Sequence, residues 1–178
     1  MNTLAIAFPR ATLTKIDDRP NGASLQQLKK EIYTNARSVY SPLGGGDNGH
    51  LALVMGSAAY LIRSGTAWID PSHPGEQLPH GANASQALIV ATNRLYDNEV
   101  TGFQTFTTVR NMLRKQLLDA INNTYFLALE DHLFGYDDVT PRQIMHHLQT
   151  TYGTLTIDDL ENNRERLSAT WNPDDPIE

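Results

Sequence analysis

The sequence predicts an all-α fold, a compact multi-helix bundle with a short extended N-terminal arm and long loops rich in glycine and proline. Apolar residues recur three and four positions apart through most of the chain after residue 84, which is typical of amphipathic helices. Helix-start signals precede several of these segments. Apolar residues make up 40% of the chain, enough for a modest hydrophobic core.

Residues 1 to 23 are predicted to form the extended arm. They contain LAIAF, then alternation in TLTKI, then the turn-rich DDRPNG, a pattern typical of one or two short strands or of an arm. The next segment begins with a capping-box pattern in which Ser24 is the N-cap and Gln27 the N3 residue. Apolar residues at helical spacing follow, so we predict a helix from about 25 to 39.

Glycine and proline dominate the middle of the chain. The run at 44 to 49 ends the first helix, because successive glycines carry the largest entropy cost of ordering. Residues 50 to 55 form an apolar segment of undecided type, and Ser57 is predicted to cap a short helix that reaches Ile62. Residues 65 to 81 hold three prolines and three glycines, and we interpret them as a long loop within one domain.

The second half is predicted to be mostly helical. Helices are expected over residues 84 to 98, 103 to 122, 125 to 133, 141 to 152 and 156 to 170. The strongest local signal is Thr140-Pro141-Arg142-Gln143, which combines an N-cap, a proline at N1 and a glutamine at N3. We therefore predict one helical domain over 24 to 170, with its core chiefly in 84 to 170, and an acidic, proline-containing tail over 171 to 178.

Charge and composition exclude several function classes. The chain has no cysteine, which removes disulfides, zinc-thiolate sites and cysteine nucleophiles, and no apolar run approaches the length of a membrane span. The net charge is −6, and residues 83 to 178 carry 7 Lys and Arg against 14 Asp and Glu. Non-specific affinity for nucleic acid needs a basic face. We therefore expect that this segment does not bind RNA, and that it has no membrane partner.

The glycine run contains G-x-G-x-x-G at residues 44 to 49. A dinucleotide site needs this motif after a strand and before a helix, so that backbone amides point at a pyrophosphate. Here the predicted helix precedes the motif. A flexible glycine turn is therefore the favoured interpretation.

The six histidines and three acidic pairs give no convincing catalytic or metal site. No H-E-x-x-H motif occurs, and the adjacent His146 and His147 would point about 100° apart on a helix. We interpret the histidines as solvated or at the edge of the core. The acidic pairs at 137, 158 and 174 lie at turns and helix starts, where carboxylates cap amides. We predict no catalytic residue, no metal ligand and no cofactor.

A few bulky residues are instead candidates for the core or for a self-association surface. These are Phe106, Leu148, Tyr152 and Trp171. On the helix that begins at Pro141, Leu148 and Tyr152 are i,i+4 neighbours, so we expect both to be buried and at least one of His146 and His147 to be exposed.

Three motifs carry a resemblance to a known family. They are LGGGDNGH at residues 43 to 50, the helix end HLQTTYG at 147 to 153, and WNPDDPIE at 171 to 178. Over about residues 25 to 178 the chain resembles the N-terminal part of Gag-like polyproteins of copia-type long-terminal-repeat retrotransposons. In that family further helices follow, and a cysteine–histidine zinc knuckle is common.

The resemblance implies a structural protein rather than an enzyme. Such capsid-type helical domains associate with copies of themselves in the cytoplasm and form a particle around the element's RNA, which would be bound by regions outside this chain. Two alternatives remain open. One is a domesticated Gag-like protein that acts as a protein-binding adaptor, and the other is a small hydrolase or nucleotide-binding enzyme that uses the glycine loop and histidines.

Overall fold

A computed structural model of the chain describes residues 6 to 153 and Arg164. Within these residues the fold is all-α: helices fill 55% and no strand forms. The α-helices are α1 (Gly22–Ser38), α2 (Ser57–Ser64), α3 (Gln86–Ala120) and α4 (Pro141–Tyr152), with 3-10 turns at Leu51–Leu53, Asn123–Tyr125 and Leu127–Leu129. The helix predicted over 156 to 170 and the tail over 171 to 178 lie outside the description, apart from Arg164.

The hydrophobic core lies where α1, α3 and α4 meet, with the turn at Leu51–Leu53 packed among them. Among residues 6 to 153, the buried apolar side chains come in similar numbers from before and after residue 84, so in this part of the chain the core is not built chiefly from the segment after 84, as was predicted. The reason is the apolar segment at 51 to 55, which is buried throughout. The most enclosed side chains are Leu28, Ile32, Val109, Leu113, Leu117, Phe126, Ile144 and Leu148.

The N-cap of helix α1 lies three residues before the predicted one. Asn21 is the N-cap and accepts a hydrogen bond from the amide of Ser24 at 2.9 Å, while the Ser24 hydroxyl accepts from the Asn21 amide at 3.0 Å. Ser24 therefore completes a reciprocal capping box as its N3 residue rather than starting one. The cap of α2 also differs from the prediction, because Gly56 precedes the helix and Ser57 is its first residue.

Helix α3 runs without a break through residues 99 to 102, where two separate helices were predicted. No proline or cap interrupts this stretch, and a single interior glycine costs only about 1 kcal/mol relative to alanine. Gly102 leaves room for the Leu43 side chain, whose Cγ would lie 2.9 Å from a β-carbon at this position. The result is a helix of 35 residues, roughly 50 Å long.

The helix predicted over 125 to 133 does not form, and short 3-10 turns take its place. The Asn122 side chain accepts from the amide of Thr124, and the Asp131 side chain accepts from the amides of Leu133 and Phe134. These side chains offer the backbone partners that compete with an α-helix. By contrast, α4 begins as predicted, with Thr140 as N-cap, Pro141 in the first turn and Gln143 closing the capping box.

The N-terminal arm, described from residue 6, is held against α1 and α3 by a polar network. The Asn35 side chain accepts from the amide of Arg10 at 3.0 Å and donates to the Gln116 side chain at 2.9 Å. Gln116 in turn donates to the carbonyls of Arg10 and Ala11 at 2.9 Å. Because Asn35 is fully buried, these bonds fix both the path of the arm and the spacing of the two helices.

Glu31 is the buried charge of this network. Its carboxylate accepts from the amide of Thr14 at 2.8 Å, from the Thr14 hydroxyl at 2.7 Å and from Gln27 at 2.6 Å, and Arg10 lies 3.3 Å away. Burial alone would raise the pKa of Glu31. The hydrogen bonds and the Arg10 charge outweigh burial and hold the pKa below its ordinary value of 4.5.

We expect Glu31→Gln to lower the free energy of unfolding at pH 7 by about 1 to 3 kcal/mol, because an amide group cannot accept every donor around it. The folded-state pKa lies below the unfolded one, so the Glu31 contribution is complete above the unfolded pKa and is lost as pH falls through the folded pKa. Denaturant unfolding from pH 7 to pH 3 should therefore show that the free energy of unfolding falls less steeply with decreasing pH in Glu31→Gln than in wild type. Glu76→Gln, at an exposed position, is the control. The same decrease in the free energy of unfolding between pH 7 and pH 3 in Glu31→Gln and wild type would contradict this account.

Candidate self-association surface

The N-terminal four turns of α3 extend beyond the core. Its buried residues begin at Gly102, which leaves residues 86 to 101 as an overhang about 24 Å long. Large apolar side chains are exposed along it: Leu88 is 57% exposed and Leu95 is 64% exposed. Leu88, Ala91 and Leu95 share one face of the helix predicted over 84 to 98, and all three are exposed.

These three residues continue the stripe that faces the core. Eighteen residues make five full turns of an α-helix, so residues that far apart point in the same direction. Leu88, Ala91 and Leu95 stand 18 positions before Phe106, Val109 and Leu113, all of which are buried. The apolar face of α3 thus spans the helix, and the rest of the described chain covers only its C-terminal part.

A neighbouring stripe of the overhang is covered by the long loop before α3. Asn93 accepts a hydrogen bond from Gln77 at 2.6 Å and pairs with His80 at 2.8 Å, and the Tyr96 hydroxyl donates to the carbonyl of Gly75 at 2.8 Å. Ile89 is half-buried on the stripe that the loop covers. Its side chain points about 100° away from that of the neighbouring Leu88, which lies on the open face. The loop therefore supports the overhang while leaving the Leu88–Leu95 face open.

Phe106 marks the point where the core begins. It is 2% exposed and packs with Phe103, Trp68 and His50 at ring-centroid distances of 6.2 to 6.4 Å. Of the other residues predicted for the core or the association surface, Leu148 is fully buried and Tyr152 is half-buried with its ring edge against Tyr125. Trp171 lies outside the described residues.

The glycine motif forms a turn in which three amides, and that of the following His50, already have partners. The amide of Gly46 donates to Ser41, those of Asn48 and Gly49 donate within the turn, and that of His50 donates to the carbonyl of Ala36 at 2.8 Å. These amides are therefore not available to bind a phosphate.

His50, at the end of the motif, is fully buried, whereas the sequence predicted only core-edge or solvated histidines. Burial lowers its pKa, and the hydrogen bond between its Nδ1 and the carbonyl of Val39 opposes that shift in part. The ring stacks on Phe106. His50 therefore joins the glycine turn to the core. His146 is exposed and His147 half-buried against the carbonyl of Tyr125.

No group of three or more metal-ligating side chains comes together in the described part of the chain. A groove of about 250 Å³ lies between α1 and α4, with Tyr33, Arg142 and His146 in its lining. Arg142 donates to the carbonyl of Ala52 through Nε at 3.0 Å, which gives this cation a structural partner. No helix among residues 6 to 153 is apolar enough over sufficient length to cross a membrane.

Comparison of the chain with protein-family models, with curated proteins and with solved structures found no match. The resemblance to Gag-like polyproteins stays a prediction from the sequence motifs.

Sequence reasoning did not find the open face of α3 or the Glu31–Asn35 network. The first had a signal in the sequence, since the same apolar stripe repeats at an interval of 18 residues from Leu88 to Leu113. The second had none, because the partners of Asn35 and Gln116 lie up to 106 residues away. Glu31 and Asn35 lie on the inner face of α1, and their role is visible only once the position of the N-terminal arm is known.

Proposed function

We propose that the chain is a structural protein of the Gag capsid type, which associates with copies of itself through the open face of α3 and contributes to a cytoplasmic particle that holds an element's RNA. The observation that carries the proposal is the exposed apolar stripe of the overhang. A helix stripe of this kind gains stability only when an apolar surface covers it. The motifs quoted above support the capsid-type assignment.

Each contact of this kind is expected to be weak. The apolar stripe of an overhang about 24 Å long has room for contact with one further helix at most, so the interface is expected to be small. Interfaces below about 1,200 Å² in total are typically transient. Weak contacts suit a subunit that makes many equivalent ones, because a particle can then form and come apart reversibly. The acidic balance of the chain does not favour RNA as the ligand of this surface.

We expect association that depends on protein concentration and strengthens with salt. The net charge of −6 causes repulsion between like subunits, and salt screens it over about 10 Å at 0.1 M. Sedimentation velocity of the RNA-free chain, over a hundredfold concentration range at low and high salt, is the measurement. Assembly driven by bound nucleic acid would instead weaken as salt rises.

A strict monomer at millimolar concentration in both salts would contradict self-association and favour the adaptor function. In that case the same apolar stripe would be the place to seek a different protein partner.

A further inference from the structure

We infer that the groove between α1 and α4 binds the acidic segment at residues 171 to 178 of the same chain, with the Trp171 ring on its apolar floor. The segment has the sequence WNPDDPIE and lies outside the described residues. The inference is independent of the proposed function, because the lining of the groove includes no residue of the α3 overhang.

The groove is an apolar cleft whose size suits an aromatic side chain. The buried side chains of Val54 and Met145 lie at its floor, and the half-buried ring of Tyr33 lies beside them. Its volume is about 250 Å³, and a cavity of roughly 150 Å³ is already enough to hold a benzene molecule. An indole ring would therefore bury a large apolar area in this groove.

The charges beside the groove are positive. Arg142 lines it, and Nζ of Lys29 lies 5.6 Å from the centroid of the Tyr33 ring. Among the described residues, no carboxylate lines the groove, and neither cation takes part in an ion pair. The partner of Arg142 is the neutral carbonyl of Ala52, so its positive charge is not compensated. Both cations are therefore available to carboxylates of a bound segment.

Three other clefts, all along the N-terminal arm, suit an acidic segment less well. Asp17 and Asp18 line the first of them, and Asp119 lines the other two. A carboxylate that entered any of these clefts would meet a like charge. Of these four clefts, the groove between α1 and α4 is the one whose charge complements an acidic segment.

The segment at residues 171 to 178 matches both properties of the groove. It begins with an aromatic residue, and it carries Asp174, Asp175 and Glu178 but no Lys or Arg. Its two prolines restrict the backbone of the free segment, so less conformational entropy is lost when the segment binds. The ring supplies apolar area, and the carboxylates select the cationic cleft.

The groove also lies near the point from which the chain continues toward this segment. Gln149 lines the groove and stands one turn before the end of α4 at Tyr152. Residues 154 to 170 then connect α4 to the acidic segment. Binding within one chain benefits from an effective concentration that reaches the millimolar range for short linkers. A contact that is weak between separate molecules can therefore be occupied within one chain.

A disulfide cross-link tests the contact in the whole chain, which has no cysteine of its own. Gln149→Cys combined with Asn172→Cys places one thiol in the groove and one beside Trp171. Thr150→Cys combined with Asn172→Cys is the matched control, since Thr150 is exposed and points about 100° away from Gln149. Under mild oxidation, at a concentration where the wild type is monomeric, the Gln149 pair should form its intramolecular disulfide on the order of tenfold faster.

Equal rates in the two pairs, or a faster reaction of the Thr150 pair, would overturn the inference, because an unbound segment reacts at least as well with the more exposed thiol. Cross-linked dimers as the main product would also overturn it, since the segment would then occupy the groove of a second copy.

A second measurement leaves the lining of the groove unchanged and follows alkylation of the thiol in Asn172→Cys alone. Adding Lys29→Glu should speed alkylation by about twofold to fivefold, because it replaces an attraction at the groove with a repulsion. Lys115→Glu is the control, since it makes the same charge change at an exposed position of α3. Equal effects of the two substitutions would mean that the overall charge holds the segment, and that result, like no effect of Lys29→Glu, would overturn the inference.

Discussion

Leu148→Ala is expected to lower the free energy of unfolding by about 2 to 5 kcal/mol, because it removes buried methyl groups and leaves a cavity that the neighbours fill only in part. Leu148 is fully buried on α4, in the layer that faces α1 and α3. Equilibrium unfolding in urea measures the change. A loss below about 1 kcal/mol would show that this face of α4 is not packed as described.

Leu133→Ala is the matched control for this experiment. It makes the same chemical change at a side chain that is 72% exposed. Surface substitutions of this kind are usually within about 0.5 kcal/mol of neutral. A similar cost at both positions would mean that the leucine side chain matters through local helix or turn propensity and not through burial.

Gly49→Ala is expected to lower the free energy of unfolding by more than about 2 kcal/mol. Gly49 has φ of +56°, a left-handed conformation that costs a residue with a β-carbon roughly 1 to 2 kcal/mol. A β-carbon there would also lie 2.7 Å from the carbonyl oxygen of Arg37 and 2.9 Å from that of Ala36. The turn must open to relieve these contacts, and His50 would then lose its place in the core.

Gly22→Ala serves as its control, because a β-carbon at that position meets no atom within 4 Å and φ is not positive. It lies in the first turn of α1, where alanine is the better helix former, so the expected effect is neutral or slightly stabilising. Thermal unfolding of the two variants side by side provides the comparison. Equal melting temperatures would mean that the glycine motif is free to move and has no structural role.

The sequence predicts well those elements whose signals are local. Helix α4 follows from Thr140, Pro141 and Gln143, which lie next to one another and act within the first turn. Helix α1 follows from its periodicity, and the shift of its cap to Asn21 arises because Asn and Ser at this spacing can each serve either role in a capping box. Neither case depends on distant residues.

Long-range packing decides the elements that the sequence predicts less well. Nothing near Gly102 shows that Leu43 fills the space beside it, so the glycine suggests a break between two helices. The Asn122 and Asp131 side chains compete for backbone amides in a segment with helical periodicity, and this competition favours 3-10 turns. Periodicity alone cannot distinguish a fully packed helix from one whose ends are open.

The same limit explains why the sequence does not identify the candidate surface. An apolar stripe with helical spacing has one pattern whether its cover is the same chain or another molecule. Leu88 and Leu95 share one face of a predicted helix, and only the three-dimensional placement of α3 shows that this face is exposed. The proposed function thus rests on the part of α3 that lies outside the helical bundle.

The central claim is that the open face of α3 mediates self-association. Sedimentation velocity of Leu95→Glu, at the concentration and salt where the wild type associates, tests it most directly, with Leu133→Glu as a matched exposed control. Because both positions are exposed, neither change should lower the melting temperature appreciably. The account predicts a monomer for Leu95→Glu and wild-type association for Leu133→Glu. Association of Leu95→Glu at the wild-type level would contradict it.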